Sequence, residues 1–381
     1  MRKGWEYKKL GEVLETTSGG TPSKSHKEYY EGGTIPWLRS GEVSKGDIYD
    51  AELYITEKGL KKSSAKLFPI DTVLIAMYGA TVGQVGILKS TMCTNQAICG
   101  ILPNKDFHPN FLKYVLLANK KNYLKQAMGG AQPNISQQVI KSTYIPIVKF
   151  SEQESVVSEL DKINELIRLK KEQLKDFDNL AQSLFYEMFG DPVENEKGWE
   201  VKKLGDVCTF SQGMQVPIEN QKEIQNEGDV RFLRIIDFTQ GKDAPRYVEC
   251  DNDKYILHEK EIAIVRYGTP GFICTGKIGA IANNLFKLNP VSDNIFVFEY
   301  LVHWLSTDAF QLSIKGKQYG AALQAIKFST IQNIEIILPP LPLQRLFAQR
   351  IEQIEREKSE VQKSIQDLET LLASRMQYWF E

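Results

Sequence analysis

The sequence predicts an α+β protein in which two tandem mixed α/β domains are separated by two long helices that pair with each other as a coiled coil. Three observations support this prediction: a heptad pattern, a second heptad pattern 191 residues later, and a decapeptide that occurs twice. They divide the chain into a first domain (residues 1–150), a first helix (151–190), a second domain (191–340) and a second helix (341–381).

The first long helix is predicted from the spacing of its apolar residues. Between Ser151 and Phe189 these residues alternate at steps of four and three, with Lys170 as the interruption, and the stretch contains neither proline nor glycine. This heptad pattern is typical of a helix that pairs with another helix. Ser151 and Glu154 suggest a capping box at its start, and Gly190 is expected to end it.

The second heptad pattern supplies a partner helix of the same length. We predict that the pairing seam consists of Val156, Leu160, Ile163, Ile167, Leu174, Phe177 and Leu184 in the first helix, and of Ile351, Ile354, Val361, Ile365, Leu368 and Leu372 in the second. The alternative is that each helix packs only on its own domain, as an amphipathic surface helix does. Two matched helices in one chain favour mutual pairing.

The duplication extends to the domains. GWEYKKLGEV (residues 4–13) returns as GWEVKKLGDV (residues 198–207), with eight of ten positions identical. Apolar runs bounded by turn residues predict strands at Glu12–Thr16, Val73–Met77, Tyr144–Val148, Val230–Ile236, Glu261–Arg266 and Ile334–Leu338. Helical spacing of apolar residues predicts helices at Asn110–Met128 and Phe298–Phe310.

Composition and charge limit the classes of protein to which this chain can belong. The chain is 42% hydrophobic and 25% charged, as folded globular proteins are. Residues 1–150 carry 20 Lys and Arg against 12 Asp and Glu, which favours a polyanionic partner, whereas residues 198–340 carry 15 against 17. Cysteines and histidines form no ligand pairs, so no metal site is predicted. No stretch has the length of a membrane span or a signal peptide, and a cytoplasmic protein without membrane contact is expected.

Motifs for catalysis are weak. Residues 271–278 (GFICTGKI) approach a phosphate-binding loop, but Ile278 stands where a Ser or Thr would hold magnesium, so a strand-turn-strand segment is predicted. Asp191 with residues 200–202 (EVK) resembles a nuclease triad, but the first copy at residues 6–8 has no upstream aspartate. We therefore predict no catalytic residues.

Polar, planar and basic side chains are concentrated in the Gly-rich loops of both domains. Arg pairs with guanine, Asn or Gln pairs with adenine, and Lys suits phosphates. For any one residue a solvated loop position is the simpler interpretation, but a set in matching loops of two modules favours DNA binding. The candidates are Arg39, Lys45, Tyr78, Gln84, Lys89, Asn95, Gln96, Gln132, Asn134 and Ser136 in the first domain, and Arg234, Lys242, Arg266, Tyr267, Lys277, Asn283, Asn284, Lys317, Gln318 and Gln324 in the second.

Several motifs together resemble a known family. They are the duplicated openings, YGATVGQVGI (residues 78–87), GGAQPNIS (129–136), and the segments IPIVKFSEQESVV and IILPPLPLQRLFA that lead into the long helices. In this order they resemble the specificity subunit of Type I restriction-modification systems over essentially the whole chain. The second half departs from the pattern at residues 323–327, where LQAIK replaces QPNIS.

The resemblance implies that each domain is a target-recognition domain for one half of a bipartite site in double-stranded DNA. It implies that the paired helices form an antiparallel coiled coil, which gives the chain pseudo-two-fold symmetry. These helices would set the spacer and dock two methyltransferase subunits, to which restriction or translocase subunits can be added. S-adenosylmethionine, ATP and magnesium are implied only for those partners, with no cofactor and no catalysis in this chain. Two alternatives stay open: a specificity subunit that works with a fused nuclease-methyltransferase, and a protein-binding scaffold that does not contact DNA.

Overall fold

The computed structural model describes residue 2 and residues 4–127, 133–240, 244–292, 294–315 and 325–381. The chain folds into two compact units. The first unit consists of Met1–Lys171 and Ser364–Glu381, and the second unit is Glu172–Lys363. Each of the two long helices therefore contributes one segment to each unit.

The first unit begins with short strands and turns and continues into a helical segment. Its strands are β1 (Glu6–Lys9), β2 (Thr16–Ser18), β3 (Ile35–Leu38), β4 (Asp47–Ile48), β5 (Tyr54–Ile55), β6 (Leu67–Phe68), β7 (Val73–Ala76), β8 (Val85–Leu88), β9 (Met92–Thr94), β10 (Ile98–Ile101) and β11 (Tyr144–Ile147). Its short helices are α1 (Leu10–Val13), α2 (Glu57–Lys61), α3 (Pro109–Ala118), α4 (Lys120–Gln126) and α5 (Gln137–Lys141), and the long helix α6 spans Phe150–Phe189.

The core of the first unit is a five-stranded sheet with both faces covered. Its strand order is β2-β10-β7-β8-β4, and β3 lies in a second sheet of order β5-β3-β9-β6. Because side chains alternate across a strand, Val73 and Ile75 of β7 pack with the apolar residues of α3, whereas Leu74 and Ala76 pack with Phe68 on the other face. Covering both faces accounts for the continuous apolar runs in β7, β8 and β10.

The second unit repeats this order of elements. Its strands are β12 (Glu200–Lys203), β13 (Cys208–Gln212), β14 (Asp229–Leu233), β15 (Tyr247–Glu249), β16 (Ile256–Leu257), β17 (Ile262–Val265), β18 (Ile273–Cys274), β19 (Gly279–Ile281), β20 (Leu285–Pro290) and β21 (Glu335–Leu338). Its short helices are α7 (Leu204–Val207), α8 (Ile235–Thr239), α9 (Phe298–Ser306), α10 (Asp308–Lys315) and α11 (Phe328–Gln332), and the long helix α12 spans Leu341–Phe380.

Sheet topology confirms the internal duplication. The order β13-β20-β17-β18 corresponds to β2-β10-β7-β8, and β15-β14-β19-β16 corresponds to β5-β3-β9-β6. In the sheet β5-β3-β9-β6 and in its counterpart β15-β14-β19-β16 the central pair is parallel, β3 with β9 and β14 with β19. The strand of each duplicated decapeptide pairs with the strand that precedes a long helix, β1 with β11 and β12 with β21. The repeat seen in the sequence is therefore a repeat of fold.

Within the first unit the two long helices run antiparallel. Glu159 of α6 accepts hydrogen bonds from Arg375 and Trp379 of α12, and further along α6 Lys171 lies 2.8 Å from Glu369. Later residues of α6 thus contact earlier residues of α12, which is the pattern of antiparallel helices. The seam residues of this unit are buried or half-buried: Val156, Leu160, Ile163, Ile167, Ile365, Leu368 and Leu372. Val156 and Leu160 also pack into the core that contains α3. Helix pairing and packing on the domain thus occur together.

The same arrangement is present within the second unit. Asp178 of α6 forms a 2.8 Å ion pair with Lys358 of α12, and Phe189 packs against Phe347 with ring centroids 5.2 Å apart. The seam residues of this unit are likewise buried or half-buried: Leu174, Phe177, Leu184, Ile351, Ile354 and Val361. None of the helices in the described ranges combines the length and the apolar composition needed to cross a bilayer.

Some local predictions are wrong. The strand predicted at Glu12–Thr16 is instead the end of α1 followed by β2, because Leu10 is buried and begins a single helical turn. Each predicted domain helix is two helices, α3 with α4 and α9 with α10. The predicted capping box is absent because α6 begins at Phe150, which places Ser151 inside the helix.

Candidate nucleic-acid interface

In each unit an arginine follows a central strand of a four-stranded sheet, β3 in the first unit and β14 in the second. Arg39 follows β3 and precedes a 3-10 turn (Ser40–Lys45), and Arg234 follows β14 and precedes α8. Both arginines keep an extended backbone, and the chain turns immediately after them. The parallel partner strand ends beside each arginine, since Asn95 donates its backbone N–H to Leu38 at 2.9 Å. Loop residues from two strands therefore meet at this point.

In the first unit these loops surround a cavity of about 540 Å³. The lining residues are Thr21, Lys24, Lys27, Tyr30, Glu31, Trp37, Arg39, Leu53, Asn95 and Gln96. The Trp37 indole is buried and donates to the Gly20 carbonyl at 2.9 Å, which fixes an apolar wall. Three of the lining residues are cations, and two carry side-chain amides. The cavity thus brings together groups that bind phosphates and groups that bind base edges.

Carboxylates organise the positive charge beside this cavity. Glu52 forms ion pairs with Arg39 and Lys45, and Glu42 lies 3.1 Å from the Lys45 ammonium. The hydrogen bond from Arg39 holds the pKa of Glu52 below its ordinary value, and the bond to Glu42 raises the pKa of Lys45. The arginine and the lysine are therefore held in defined positions before any ligand binds.

The other candidates of the first unit lie on two further loops. Tyr78 is 46% exposed and forms an isolated β-bridge with Asn134, whose side chain is exposed. Gln84 is half-buried beside β8, and Ser136 uses its hydroxyl to cap α5 at 3.3 Å from the Val139 nitrogen. Of this group, Tyr78 and Asn134 are brought together and are accessible.

Lys89 differs from the other first-unit candidates. Its ammonium lies 3.8 Å from Asp47 and 3.9 Å from Asp71, and its side chain is only about one quarter exposed. Asp71 has a positive φ of 64°, which marks the tight turn before β7. The structure thus gives Lys89 a role in joining β4 to the turn before β7.

In the second unit Arg234 is held more tightly than Arg39. Its Nε lies 3.0 Å from Asp237, and its Nη2 donates to the Ala244 carbonyl at 2.6 Å. Burial would raise the pKa of Asp237, but hydrogen bonds from Arg234 and Arg231 outweigh it and lower that pKa. Lys222 and Arg246 are also paired with carboxylates in this unit. Much of its positive charge is therefore neutralised locally.

Arg266 and its neighbours form the other polar group of the second unit. The Arg266 guanidinium lies 5.0 Å from the centre of the Phe286 ring, and its backbone N–H donates to Asn284 at 2.9 Å. The Arg266 Nε and the Asn284 Oδ1 are buried without a partner among the described residues. Tyr267 is 41% exposed, and Asn283 is half-buried and accepts a hydrogen bond from Gln212 through its carbonyl.

Lys277 is exposed and lies 5.9 Å from the Phe238 ring centre. This cation–π contact connects the loop before β19 with α8. Five candidates fall outside the described residues: Gln132, Lys242, Lys317, Gln318 and Gln324.

Comparison with known families decides what kind of chain this is. Residues 2–176 and 196–370 each match the family described as Type I restriction modification DNA specificity domain. The chain belongs to this Type I specificity family. The two matches cover the two copies of the duplicated fold, so each unit corresponds to one specificity domain.

Curated relatives of this family match along most of the chain. The MjaIX specificity subunit of Methanocaldococcus jannaschii is 29% identical over 377 residues, covering 91% of this chain and 85% of the relative. The StySPI specificity subunit of Salmonella potsdam is 22% identical over 417 residues, covering 99% and 88%.

Solved structures of the family share the fold. A chain from a study of complex assembly and conformational transition of the Type I system is 21% identical, with a TM-score of 0.64 and coverage of 100% of this chain and 98% of that one. The S subunit of M. genitalium is 14% identical, with a TM-score of 0.53 and coverage of 99% and 96%.

Sequence reasoning missed part of the specificity-domain surface. Lys24, Lys27 and Tyr30 line the first-unit cavity but were not among the candidates. These residues could have been identified from the segment TPSKSHKEYY (residues 21–30), which is basic and aromatic and directly follows Gly19-Gly20. Across the described ranges, no group of His, Cys, Asp and Glu has the geometry to hold a metal ion.

Proposed function

We propose that this chain is the DNA sequence-specificity subunit of a Type I restriction-modification complex, and that each unit reads one half of a bipartite duplex site. The first-unit cavity is the observation that carries the proposal. There Lys24, Lys27 and Arg39 converge with Asn95 and Gln96 at the edge of a β-scaffold. Lysines suit phosphates, while arginine and side-chain amides discriminate base edges in the major groove.

The proposal includes a division of labour with partner subunits. S-adenosylmethionine, ATP and magnesium are assigned to two methyltransferase subunits and to restriction or translocase subunits, and this chain supplies recognition alone. The long helices offer surfaces for such partners, because Leu166, Leu169, Leu180 and Leu371 are 45–51% exposed outside the pairing seam. Apolar residues exposed along paired helices are suited to burial by another subunit.

The length of the helices is proposed to set the spacer between the half-sites. Each long helix spans 40 residues, and both contribute to both units. The number of residues in the helices, rather than any base contact, would then determine the number of unread base pairs.

Single-molecule methylation sequencing tests the proposal. A host expressing this chain with its modification subunit should acquire a bipartite methyladenine motif that is absent when this chain is omitted. A stable complex without a new motif would contradict the proposal and favour a protein-binding scaffold. One observation favours the scaffold function: Lys222, Arg234 and Arg246 of the second unit are paired with carboxylates. Methylation or cleavage by the purified chain alone would contradict the assignment of catalysis to partners.

A further inference from the structure

Each unit buries a carboxylate three residues after the arginine that follows the central strand. The segments are LRSGE (residues 38–42) and LRIID (233–237). Glu42 is 4% exposed and Asp237 is 7% exposed. Acidic residues are almost never buried unless they are paired, so a shared burial in two domains calls for a shared partner. The adjacent arginine is the partner that the two carboxylates have in common, while Glu42 also binds Lys45 at 3.1 Å and Asp237 also binds Arg231 at 3.0 Å.

In the first unit Glu42 holds Arg39 both directly and through a second carboxylate. Glu42 Oε1 accepts the Arg39 backbone N–H at 3.1 Å and lies 4.0 Å from Arg39 Nε. Glu42 Oε2 accepts the backbone N–H of Glu52 at 3.0 Å, and the Glu52 carboxylate in turn binds Arg39 Nη2. The Glu52 carboxylate thus restrains the guanidinium at Nη2, and the Glu42 carboxylate lies at ion-pair distance from Nε, while about half of the side chain stays exposed.

In the second unit Asp237 binds the backbone and the guanidinium of Arg234, although its side chain is shorter than that of Glu42. Its Oδ2 accepts the Arg234 backbone N–H at 2.8 Å and binds Arg234 Nε at 3.0 Å, and its Oδ1 lies 3.3 Å from Arg234 Nη2. This is a two-oxygen contact with the guanidinium, the geometry that fixes its plane. Because Nε and Nη2 are engaged, contact with an external acceptor passes through Nη1.

Capping of the turn alone does not account for this arrangement. Glu12 accepts the Lys9 backbone N–H at 3.2 Å with the same three-residue spacing, yet Glu12 is exposed and has no contact with an arginine in the described part of the chain. The two units also use different acids and different turns, a 3-10 turn after Arg39 and a helix after Arg234. What the two units share is a buried carboxylate beside the guanidinium.

We propose that Glu42 and Asp237 are positioning residues that fix the guanidinium of the adjacent arginine for base reading, each acting on one half-site only. This inference rests on the proposed function. A guanidinium fixed in advance loses little rotamer freedom on binding and rejects a base that does not match its orientation. Removal of the carboxylate charge should therefore relax base preference rather than abolish binding.

The test uses the assembled complex in the host and compares methylated motifs. Glu42→Gln, which keeps the side-chain size, should reduce discrimination at one base pair of one half-site by about tenfold, within the range of a bidentate contact. Asp237→Asn should do the same in the other half-site. The spacer and the untouched half-site should stay as in the wild type. Glu12→Gln, which removes a carboxylate of the same spacing without an arginine, is the matched control and should change nothing.

A double-variant comparison separates positioning from stability. Adding Glu42→Gln to Arg39→Gln should cause no further change at the base pair that Arg39 reads, because at that base pair Glu42 acts through Arg39. If Glu42→Gln does not assemble, Glu42→Asp should assemble and relax the same base pair to a smaller degree. An unchanged motif in the assembled Glu42 variants, or equal loss at both half-sites, would overturn the inference. Absence of any motif in the wild type would instead overturn the proposed function.

Discussion

The strongest stability prediction concerns Gln153, which is fully buried near the start of α6. Its Oε1 accepts the His108 backbone N–H at 2.8 Å, and its Nε2 donates to the carbonyls of Asp106 at 2.8 Å and Val148 at 3.1 Å. One side chain thus satisfies three backbone groups where the long helix meets its domain. We predict that Gln153→Leu strongly destabilises the first unit.

The size of the effect follows from the groups left without partners. Leucine has a similar volume, so the main loss is the pairing of one amide and two carbonyls. Each unsatisfied buried group costs about 1–3 kcal/mol, and partial relaxation toward water reduces the total. We expect the free energy of unfolding of the first unit to fall by about 3–5 kcal/mol.

The second unit contains an equivalent glutamine, which allows the same experiment. Gln344 is also fully buried, accepts the Val297 N–H at 2.8 Å and donates to the carbonyls of Pro339 at 2.8 Å and Ile295 at 3.2 Å. Gln344→Leu should therefore destabilise the second unit by a similar amount and leave the first unit unaffected.

Hydrogen exchange with mass spectrometry should measure the two units separately, because a single unfolding transition is not assured for a chain with two units. Gln153→Leu should increase exchange in peptides covering residues 106–108 and 147–153. The exposed Gln366 of α12 supplies the control, and Gln366→Leu should change stability by less than about 0.5 kcal/mol. A loss of under about 1 kcal/mol for Gln153→Leu, or an equal loss in both units, would refute the reasoning.

Three further predictions concern the helix pair and the reading surface. Hydrogen bonds from Arg375 and Trp379 lower the pKa of Glu159. The stability that the Glu159 carboxylate contributes should therefore be constant above about pH 5 and be lost as the pH falls through its lowered pKa in the folded state. In an acid titration, the free energies of unfolding of the wild type and of Glu159→Gln should therefore converge. Arg39→Ala should reduce the discrimination between bases at one half-site by about 1–3 kcal/mol, measured by competition binding. Equal weakening of binding to all sequences, with a smaller salt dependence, would instead indicate a phosphate contact. Deletion of seven residues from α6, two turns that preserve the heptad phase, should change the spacer in a methylome and keep both half-sites; an unchanged spacer would contradict the role of helix length.

The long helices and the repeat could be predicted from sequence because both are periodic over many residues. The start of α6 was predicted at residue 151 and lies at Phe150, but the interaction that caps it could not be predicted in the same way. Ser151 and Glu154 fit a local capping pattern, yet the start of the helix is fixed by Gln153 through a contact 45 residues away in the chain. Likewise α1 is a single turn that is held by one buried residue, Leu10, and four residues are too few to show a helical period.

The candidate site shows the same division between local and long-range information. Arg39, Asn95 and Gln96 could be identified because they lie next to strands that recur in both halves, and the structure places all three on one cavity. Lys24 and Lys27 enter that cavity from a loop without a recognisable copy in the second half. The tight restraint of Arg234 could not be predicted either, since part of it is a hydrogen bond to a carbonyl ten residues away.

One framework position shows how a duplicated fold can carry two different readouts. Met77 and Arg266 occupy equivalent places, since their backbone N–H groups donate to Ala97 at 2.8 Å and to Asn284 at 2.9 Å, respectively. Met77 is buried, whereas Arg266 carries a guanidinium over the Phe286 ring. The backbone hydrogen bonds that define this corner do not involve side chains, so an apolar residue can be exchanged for a cation without loss of the frame. Side chains can therefore diverge at loop positions of this kind while the strands and the paired helices remain common to both halves.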